Sequence, residues 1–230
     1  MEYFVFLLAS FLAVMIVITT HEFAHAFVAY KCGDPTAKFA GRMSLNPVRH
    51  FEPLGIVMFA FAGFGWAKPV PVNPYNFRNY KSGSFWTAAA GVIVNYLSAF
   101  LFFPLVVLVK LYVLPLVEGT YLEIFLSDLT WLLLLYSLNF CIFNLLPLHP
   151  LDGFRIMDAL NKKRGKVYQF LRNYGHYILL ALVFINFLSD RIPYLAYIDV
   201  LGFVLPRLVS LVGKPIALFW GWIFDVTIII

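Results

Sequence analysis

Charged side chains and cysteines are both scarce in this sequence. Asp, Glu, Lys and Arg together make up 13% of its 230 residues, whereas soluble domains carry about a quarter. The two cysteines, Cys32 and Cys141, are too few for a disulfide framework and leave the redox compartment undetermined. The shortage of charge argues against a protein whose surface lies wholly in water.

The N-terminus lacks the basic region of a cleavable signal peptide. It opens with Met1 and Glu2, and the apolar run that follows is longer than the apolar region of a signal peptide. The chain also lacks internal repeats and a linker rich in Ser and Gly. We therefore expect an uncleaved N-terminus and a single domain over residues 1–230.

Apolar and aromatic side chains are abundant instead. Hydrophobic residues make up 62% of the chain and aromatic ones 19%, and the mean hydropathy is +0.83. This composition predicts an integral membrane protein with aromatic side chains facing lipid and interfaces. The net charge of +5 comes from basic residues between apolar runs, where orientation bias and anionic headgroups account for them. We therefore expect the lipid bilayer, and not nucleic acid, as a partner.

Four apolar runs approach the length of about 20 residues that a helix needs to cross a bilayer. The predicted spans are residues 3–30, 85–113, 129–148 and 168–188. The tail could form one further span, a helical hairpin, or a span with an interfacial helix, because three prolines interrupt it. It covers residues 192–230, and the prolines are Pro193, Pro206 and Pro215. The predicted fold is all-α and polytopic, with about four to six transmembrane helices.

The connection between the first two spans, residues 36–83, is basic but has an apolar, glycine-rich middle at 54–66. This middle favours a re-entrant or interfacial loop, which is tolerated at membrane depth where it is buried in protein or lines a cavity. The next stretch, 66–73, reads Trp-Ala-Lys-Pro-Val-Pro-Val-Asn. Its prolines, Pro69 and Pro71, exclude a central strand but allow an edge strand or a polyproline-like segment. A plain surface loop is an equally good interpretation.

Charge asymmetry predicts the orientation. The connections after the first and third spans are basic, whereas the connector after the second is acidic, with Glu118, Glu123 and Asp128. The positive-inside rule then places the N-terminus outside and both basic connections in the cytoplasm. Residues 21–25 would lie in the cytoplasmic part of the first span, at a depth similar to that of Asp152.

The first span contains His-Glu-Phe-Ala-His at residues 21–25. On a helix His21 and His25 project from one face one turn apart, so both can bind one metal ion, with Glu22 beside them as general base for a water. Two structural histidines are the plainer alternative. Ionisable groups in a bilayer-length apolar helix cost free energy, about 2.5–3.5 kcal/mol for a central charge on insertion scales, which favours the functional interpretation.

A catalytic zinc site usually has three protein ligands and one open position. Asp152 is favoured as the third ligand because Pro147 and Pro150 break the helix before it and Gly153 allows a turn that aims the carboxylate inward. An Asp before Gly is otherwise an ordinary turn or cap. The other candidates are His149, His50, Glu52 and His176.

Several motifs together resemble the site-2 protease family of intramembrane zinc metalloproteases. They are the His-Glu-Phe-Ala-His sequence, Gly91-x-x-x-Asn95 in the second span, and Asn144-x-x-Pro-x-x-Pro-Leu-Asp152-Gly after the third. The stretches 41–55 and 66–73 resemble compact members of that family without a PDZ or CBS module. The resemblance covers about residues 10–160 and weakens beyond the fourth span.

The resemblance implies a zinc metalloendopeptidase with one Zn²⁺ per chain, bound by His21, His25 and Asp152, and with Glu22 as catalytic base. Its expected partner is a transmembrane protein substrate, cut in or near its transmembrane helix. The catalytic core would cover about residues 3–160 and a C-terminal helical region about 168–230. The compact form suggests a prokaryotic cell membrane, with the active site towards the cytoplasm.

Two further asparagines and one short segment are candidate substrate contacts. Asn95 and Asn144 could donate to the oxyanion or hold the substrate backbone, although an interhelical hydrogen bond explains Asn95 equally well. Val70, Pro71 and Val72 could pair with an unwound substrate strand. The alternative function is a membrane zinc-binding or transport protein that uses the same histidine pair, although transport does not require the Glu between them.

Overall fold

The computed structural model describes residues 1–52, 54–55, 67–161 and 163–225, and these are helical with no β-strand. Five of the described helices are long and apolar enough to cross a membrane. This agrees with the predicted all-α, polytopic fold of four to six spans. The apolar middle of the first connection, residues 54–66, lies outside the described residues except for 54 and 55.

The first helix, α1, runs over Glu2–Cys32, close to the predicted 3–30. It ends because Gly33 takes a left-handed conformation, with φ of 112°, which suits a residue without a Cβ. The backbone N–H of Asp34 then donates to the carbonyl of Ala29 across 2.9 Å. A short helix, α2, follows over Thr36–Phe39.

The second long helix, α3, runs over Tyr80–Leu108 and starts five residues before the predicted 85. The Asn79 side chain accepts a hydrogen bond from the Ser82 N–H across 3.0 Å and so caps the helix N-terminus. The chain continues through a π-helical turn at Val109–Val113 and a 3-10 turn at Leu114–Leu116.

The third long helix, α4, runs over Tyr121–Leu145, so the predicted boundaries of 129 and 148 were both wrong. Thr120 accepts from the Glu123 N–H across 3.3 Å, and the Glu123 carboxylate accepts from the Gly119 N–H across 2.7 Å. This exchange starts the helix, and it places Glu123 and Asp128 inside it rather than in a connector. At the other end, Pro147 cannot continue the helix.

Three helices complete the chain. The short helix α5 covers Asp152–Leu160, and α6 covers Lys166–Ser189, close to the predicted 168–188. The tail forms a 3-10 turn at Pro193–Ile198 and then one long helix, α7, over Val200–Phe224. Pro206 and Pro215 lie inside α7. Of the three possibilities for the tail, the structure therefore has a single further span.

The helices α1, α3 and α4 form the centre of the bundle, and α7 packs on one side of it. Small residues of α1, Ala9 and Ala13, are fully buried against Leu132 and Leu133 of α4; small side chains allow such close approach in membranes, where apolar burial between helices gains little. A second cluster joins α3, α4 and α7 around Phe103. On α6, by contrast, only Tyr168 and Gly175 are buried.

Candidate metal centre

Three side chains converge in the middle of the bundle. His21 and His25 belong to α1, and Asp152 is the first residue of α5. The Nε2 atoms of the two histidines are 3.0 Å apart. Asp152 Oδ2 lies 3.2 Å from His21 Nε2 and 3.0 Å from His25 Nε2. All three side chains are buried, and they are the one group of this kind in the part of the chain that the structure describes.

The backbone around Asp152 explains how a residue far from the histidines in sequence reaches them. The helix α4 ends at Leu145 and α5 begins at Asp152, so the proline-containing connection folds back towards α1. Gly153 is needed there, because a Cβ at this position would collide with the carbonyl group of Leu145. The predicted meeting of residues 21–25 with Asp152 is thus found.

Helix α3 forms the wall behind both histidines. His25 Nδ1 lies 2.7 Å from the carbonyl oxygen of Thr87, and His21 Nδ1 lies 3.0 Å from the side-chain amide of Asn95. Between these positions, a Cβ on Gly91 would lie 2.5 Å from His25 Nε2. The imidazole rings therefore occupy the space that Gly91 leaves free.

Glu22 and the segment 67–73 line a cavity of about 520 Å³ beside the three side chains. The Glu22 carboxylate accepts a hydrogen bond from the backbone N–H of Val70, with 3.2 Å between Oε2 and N. Val70 and Val72 both face this cavity, whereas Pro71 is exposed and is not among the lining residues. The segment has no regular secondary structure.

The segment 67–73 is held at both ends. At its start, Phe51 and Ala67 form an isolated antiparallel bridge, and the Lys68 N–H donates to the carbonyl of His50 across 2.8 Å. The Arg42 guanidinium also donates to the carbonyl of Lys68. The predicted edge strand is therefore limited, within the described residues, to this one bridge.

Asp34 holds the other end of the segment. Its buried carboxylate accepts from the Asn73 N–H across 2.7 Å, from the Asn76 side chain across 2.8 Å and from the Thr36 hydroxyl across 2.5 Å. Burial raises the pKa of Asp34, but the hydrogen bonds from Thr36, Asn76 and Asn73 outweigh burial and hold that pKa below its ordinary value.

Asn144 and Asn95 have different surroundings. Asn144 lines the cavity, where its amide donates to the carbonyl of Phe140 in its own helix across 3.1 Å. Asn95 is fully buried behind His21 and is not among the residues that line the cavity. Its contact with His21 is an interhelical hydrogen bond, the alternative that the sequence left open.

The other candidate third ligands lie apart from the histidine pair. His50 is fully buried in the first connection, with its Nε2 atom 2.7 Å from the carbonyl oxygen of Ser44. The ring of His149 packs against Phe154 and His176, with centroid distances of 5.5 and 6.4 Å. Glu52 is half-buried, and it joins no described metal-binding group.

Sequence reasoning missed Thr87, Arg42 and Asp34. For Thr87 the only signal is its position, four residues before Gly91 and eight before Asn95 on the same helical face. The residue type carries no signal, because the contact uses the backbone carbonyl. Arg42 and Asp34 act on backbone groups of a distant segment. Such contacts leave no pattern in the sequence.

Comparison with known proteins identifies the family of the chain. The profile of Peptidase family M50 matches residues 109–186, which include Asp152. The Bacillus subtilis (strain 168) protein YwhC, which bears the provisional name of a zinc metalloprotease, is 40% identical over 186 residues, covering 78% of this chain and 83% of that protein. No solved structure gives a significant match. The chain therefore belongs to peptidase family M50, the site-2 protease family, and is an integral membrane protein of the zinc metalloprotease type.

Proposed function

We propose that this protein is an intramembrane zinc metalloendopeptidase, which hydrolyses a peptide bond in or near the transmembrane helix of a membrane-anchored protein. The observation that carries the proposal is the convergence of His21 Nε2, His25 Nε2 and Asp152 Oδ2 beside Glu22. The single functional domain would cover residues 1–230, with the catalytic core at about 3–160.

The three side chains suit one zinc ion. Two imidazole nitrogens and one carboxylate oxygen are a common catalytic zinc set, and bonds of about 2.0–2.1 Å in a tetrahedron separate ligand atoms by about 3.3 Å. The separations of 3.0–3.2 Å are close to that value. Asp152 Oδ2 is buried with only the two histidine Nε2 atoms beside it, and the adjacent cavity leaves room for a fourth ligand. We infer one zinc ion per chain.

Glu22 is the proposed catalytic base. When bound, zinc supplies a Lewis acid for the scissile carbonyl and lowers the pKa of a water molecule towards about 7. Glu22 follows His21 directly and lines the same cavity, so its carboxylate can take a proton from that water and pass it to the leaving amine. Asn144 lines the cavity as well and can donate to the substrate backbone.

The proposed substrate contact is the segment with Val70, Pro71 and Val72. A helix in lipid satisfies its own backbone hydrogen bonds, so a transmembrane substrate must unwind locally before it is cut. Residues 70 and 72 face the same cavity as Glu22, next to its carboxylate. An unwound substrate strand lying along this segment could form backbone hydrogen bonds with it.

The depth of the site supports cleavage within the membrane. His21 lies eleven residues before the end of α1, which corresponds to about 16 Å along a helix and about half of the hydrocarbon thickness. Basic residues such as Arg155 and Lys166 follow the third span, and Arg155 lines the cavity. By the positive-inside rule, the site faces the cytoplasmic side of what we infer to be a prokaryotic membrane.

The test combines zinc content with cleavage of a membrane-anchored substrate by the purified full-length protein. We expect about one zinc per chain in the wild type, and loss of both zinc and cleavage in His25→Ala and Asp152→Ala. Zinc retained without Asp152 would contradict the ligand set. Zinc bound without any cleavage, together with zinc flux into vesicles, would favour the zinc-transport alternative.

A further inference from the structure

Asn95 is placed where it can control the chemistry of His21. It lies on α3 and is fully buried, and its amide nitrogen lies 3.0 Å from His21 Nδ1. The other end of the amide, Oδ1, is buried and has no hydrogen-bond partner. A buried amide oxygen without a hydrogen-bond partner is unfavourable.

The proposed role of His21 as a zinc ligand determines whether His21 or Asn95 is the donor in this hydrogen bond. A neutral imidazole that binds a metal through Nε2 carries its proton on Nδ1, so Nδ1–H is a donor and needs an acceptor. An amide nitrogen cannot accept that hydrogen. A half-turn of the Asn95 amide exchanges its two ends, so that Oδ1 accepts from His21 Nδ1–H and is no longer unpaired.

We propose that Asn95 is a positioning residue, which accepts the Nδ1–H of His21 through Oδ1 and thereby holds Nε2 towards the metal. The inference rests on the proposed zinc site. Asn95 would accept the Nδ1–H of His21 in the same way as the Thr87 carbonyl accepts that of His25, whose Nδ1 lies 2.7 Å from the Thr87 oxygen. Both ligand histidines would then have a fixed tautomer and a fixed ring plane.

The spacing on α3 shows why one helix can serve both rings. Thr87, Gly91 and Asn95 are four residues apart and so follow one helical face. Gly91 provides the space for the rings, because a Cβ there would lie 2.5 Å from His25 Nε2 and 2.7 Å from His21 Nδ1. The residues on either side of Gly91 provide the two acceptors.

The test compares Asn95→Asp with Asn95→Leu in the detergent-solubilised full-length protein, with zinc affinity measured by chelator competition. A carboxylate can accept the Nδ1–H, whereas a leucine cannot. We expect Asn95→Leu to weaken zinc binding about 10–100-fold, the usual cost of losing such a partner, and Asn95→Asp to remain close to wild type. The control is Asn186→Leu, which removes an exposed amide of α6, hydrogen-bonded to Asp199 across 2.9 Å; its zinc affinity should not change.

Two outcomes would overturn the inference. Wild-type affinity in Asn95→Leu would mean that the contact only joins helices, and equal loss in both variants would mean that the amide donates to His21. If Asn95→Leu does not fold, ¹⁵N NMR of the histidine rings in the zinc-loaded wild type decides the matter, with His21 assigned by its loss in His21→Gln. A bare Nδ1 on His21 would contradict the proposal. Failure of the whole zinc site is recognised separately, because the wild type would then bind no zinc.

Discussion

The backbone N–H of Val70 donates to the carboxylate of Glu22 across 3.2 Å, and this contact joins the first connection to the histidine-bearing helix. It brings the proposed base and the proposed substrate-pairing segment to the same edge of one cavity. A substrate strand bound there would offer its own carbonyl to the Val70 N–H. Glu22 would then be released to take a proton.

Substitution Glu22→Gln should abolish cleavage while zinc remains bound. Glutamine keeps the shape of the side chain but cannot accept a proton, and general-base catalysis contributes about 10²–10⁴-fold. Zinc should stay because the three proposed ligands are unchanged. The measurement is zinc content beside the cleavage rate of a membrane-anchored substrate. Cleavage at a rate near that of the wild type would show that another group is the base.

Substitution Gly91→Ala should reduce zinc binding, although alanine is otherwise well tolerated in helices. The new Cβ would lie 2.5 Å from His25 Nε2 and 2.7 Å from His21 Nδ1, so the imidazole rings must move from their positions. Zinc stoichiometry after dialysis measures the effect. The control is Gly165→Ala, where a Cβ would meet no atom within 4 Å. A full complement of zinc in Gly91→Ala would show that the rings adapt.

Substitution Val70→Pro should impair cleavage of a membrane-anchored substrate more than cleavage of a soluble unfolded peptide. Proline removes the N–H that faces Glu22, and a helical substrate depends most on strand pairing to remain unwound. The rates for the two substrates are measured in parallel. Val70→Ile keeps the N–H and serves as the control. Equal losses for both substrates would argue against strand pairing.

Substitution Asp34→Ala should loosen the segment 67–73 without removing zinc. The Asn73 N–H and its neighbours would lose their acceptor, at a cost of about 1–3 kcal/mol for each buried group left unpaired. Hydrogen exchange of residues 70–77, followed by mass spectrometry, should report faster exchange. Asp190→Ala, at an exposed acid after α6, is the control. Unchanged exchange in Asp34→Ala would show that Arg42 and His50 suffice to hold the segment.

The pH dependence of the Asp34 contacts follows from the sign of the pKa shift. Burial raises the pKa of this carboxyl, but hydrogen bonds from Thr36, Asn76 and Asn73 outweigh burial and lower it. A lowered pKa stabilises the folded chain above the unfolded value of about 3.9, and the stabilisation is lost as the pH falls through the folded pKa. Protection of the segment, corrected for intrinsic exchange, should therefore be constant from about pH 5 to 8.

The sequence was sufficient for four of the five described spans and for the pairing of the two proposed histidine ligands, because both depend on local patterns. Apolar length predicts helices that cross a bilayer, and the spacing of residues 21 and 25 places both histidines on one face. The start of α4 was predicted eight residues too late, because acidic side chains were interpreted as a connector. The capping pattern Thr120-x-x-Glu123 would have corrected this.

What the sequence could not predict depends on backbone groups and on long-range contacts. The carbonyl of Thr87 contacts His25, and any residue type would supply that oxygen. The Asp34 carboxylate contacts Asn73, 39 positions further along the chain. Three prolines left the structure of the tail ambiguous, yet two of them lie inside the helix α7. This helix packs against α3 and α4, and its Trp220 N–H donates to the carbonyl of Phe100 across 2.8 Å.

The position of Asp152 implies that the proposed zinc ion would stabilise the fold as well as take part in catalysis. More than half of the chain separates Asp152 from His25, so an ion held by both acts as a cross-link that closes a very long loop, and its contribution grows with loop length. Binding to the folded chain alone also raises the melting temperature. Zinc depletion would therefore lower the thermal stability of the bundle together with its activity.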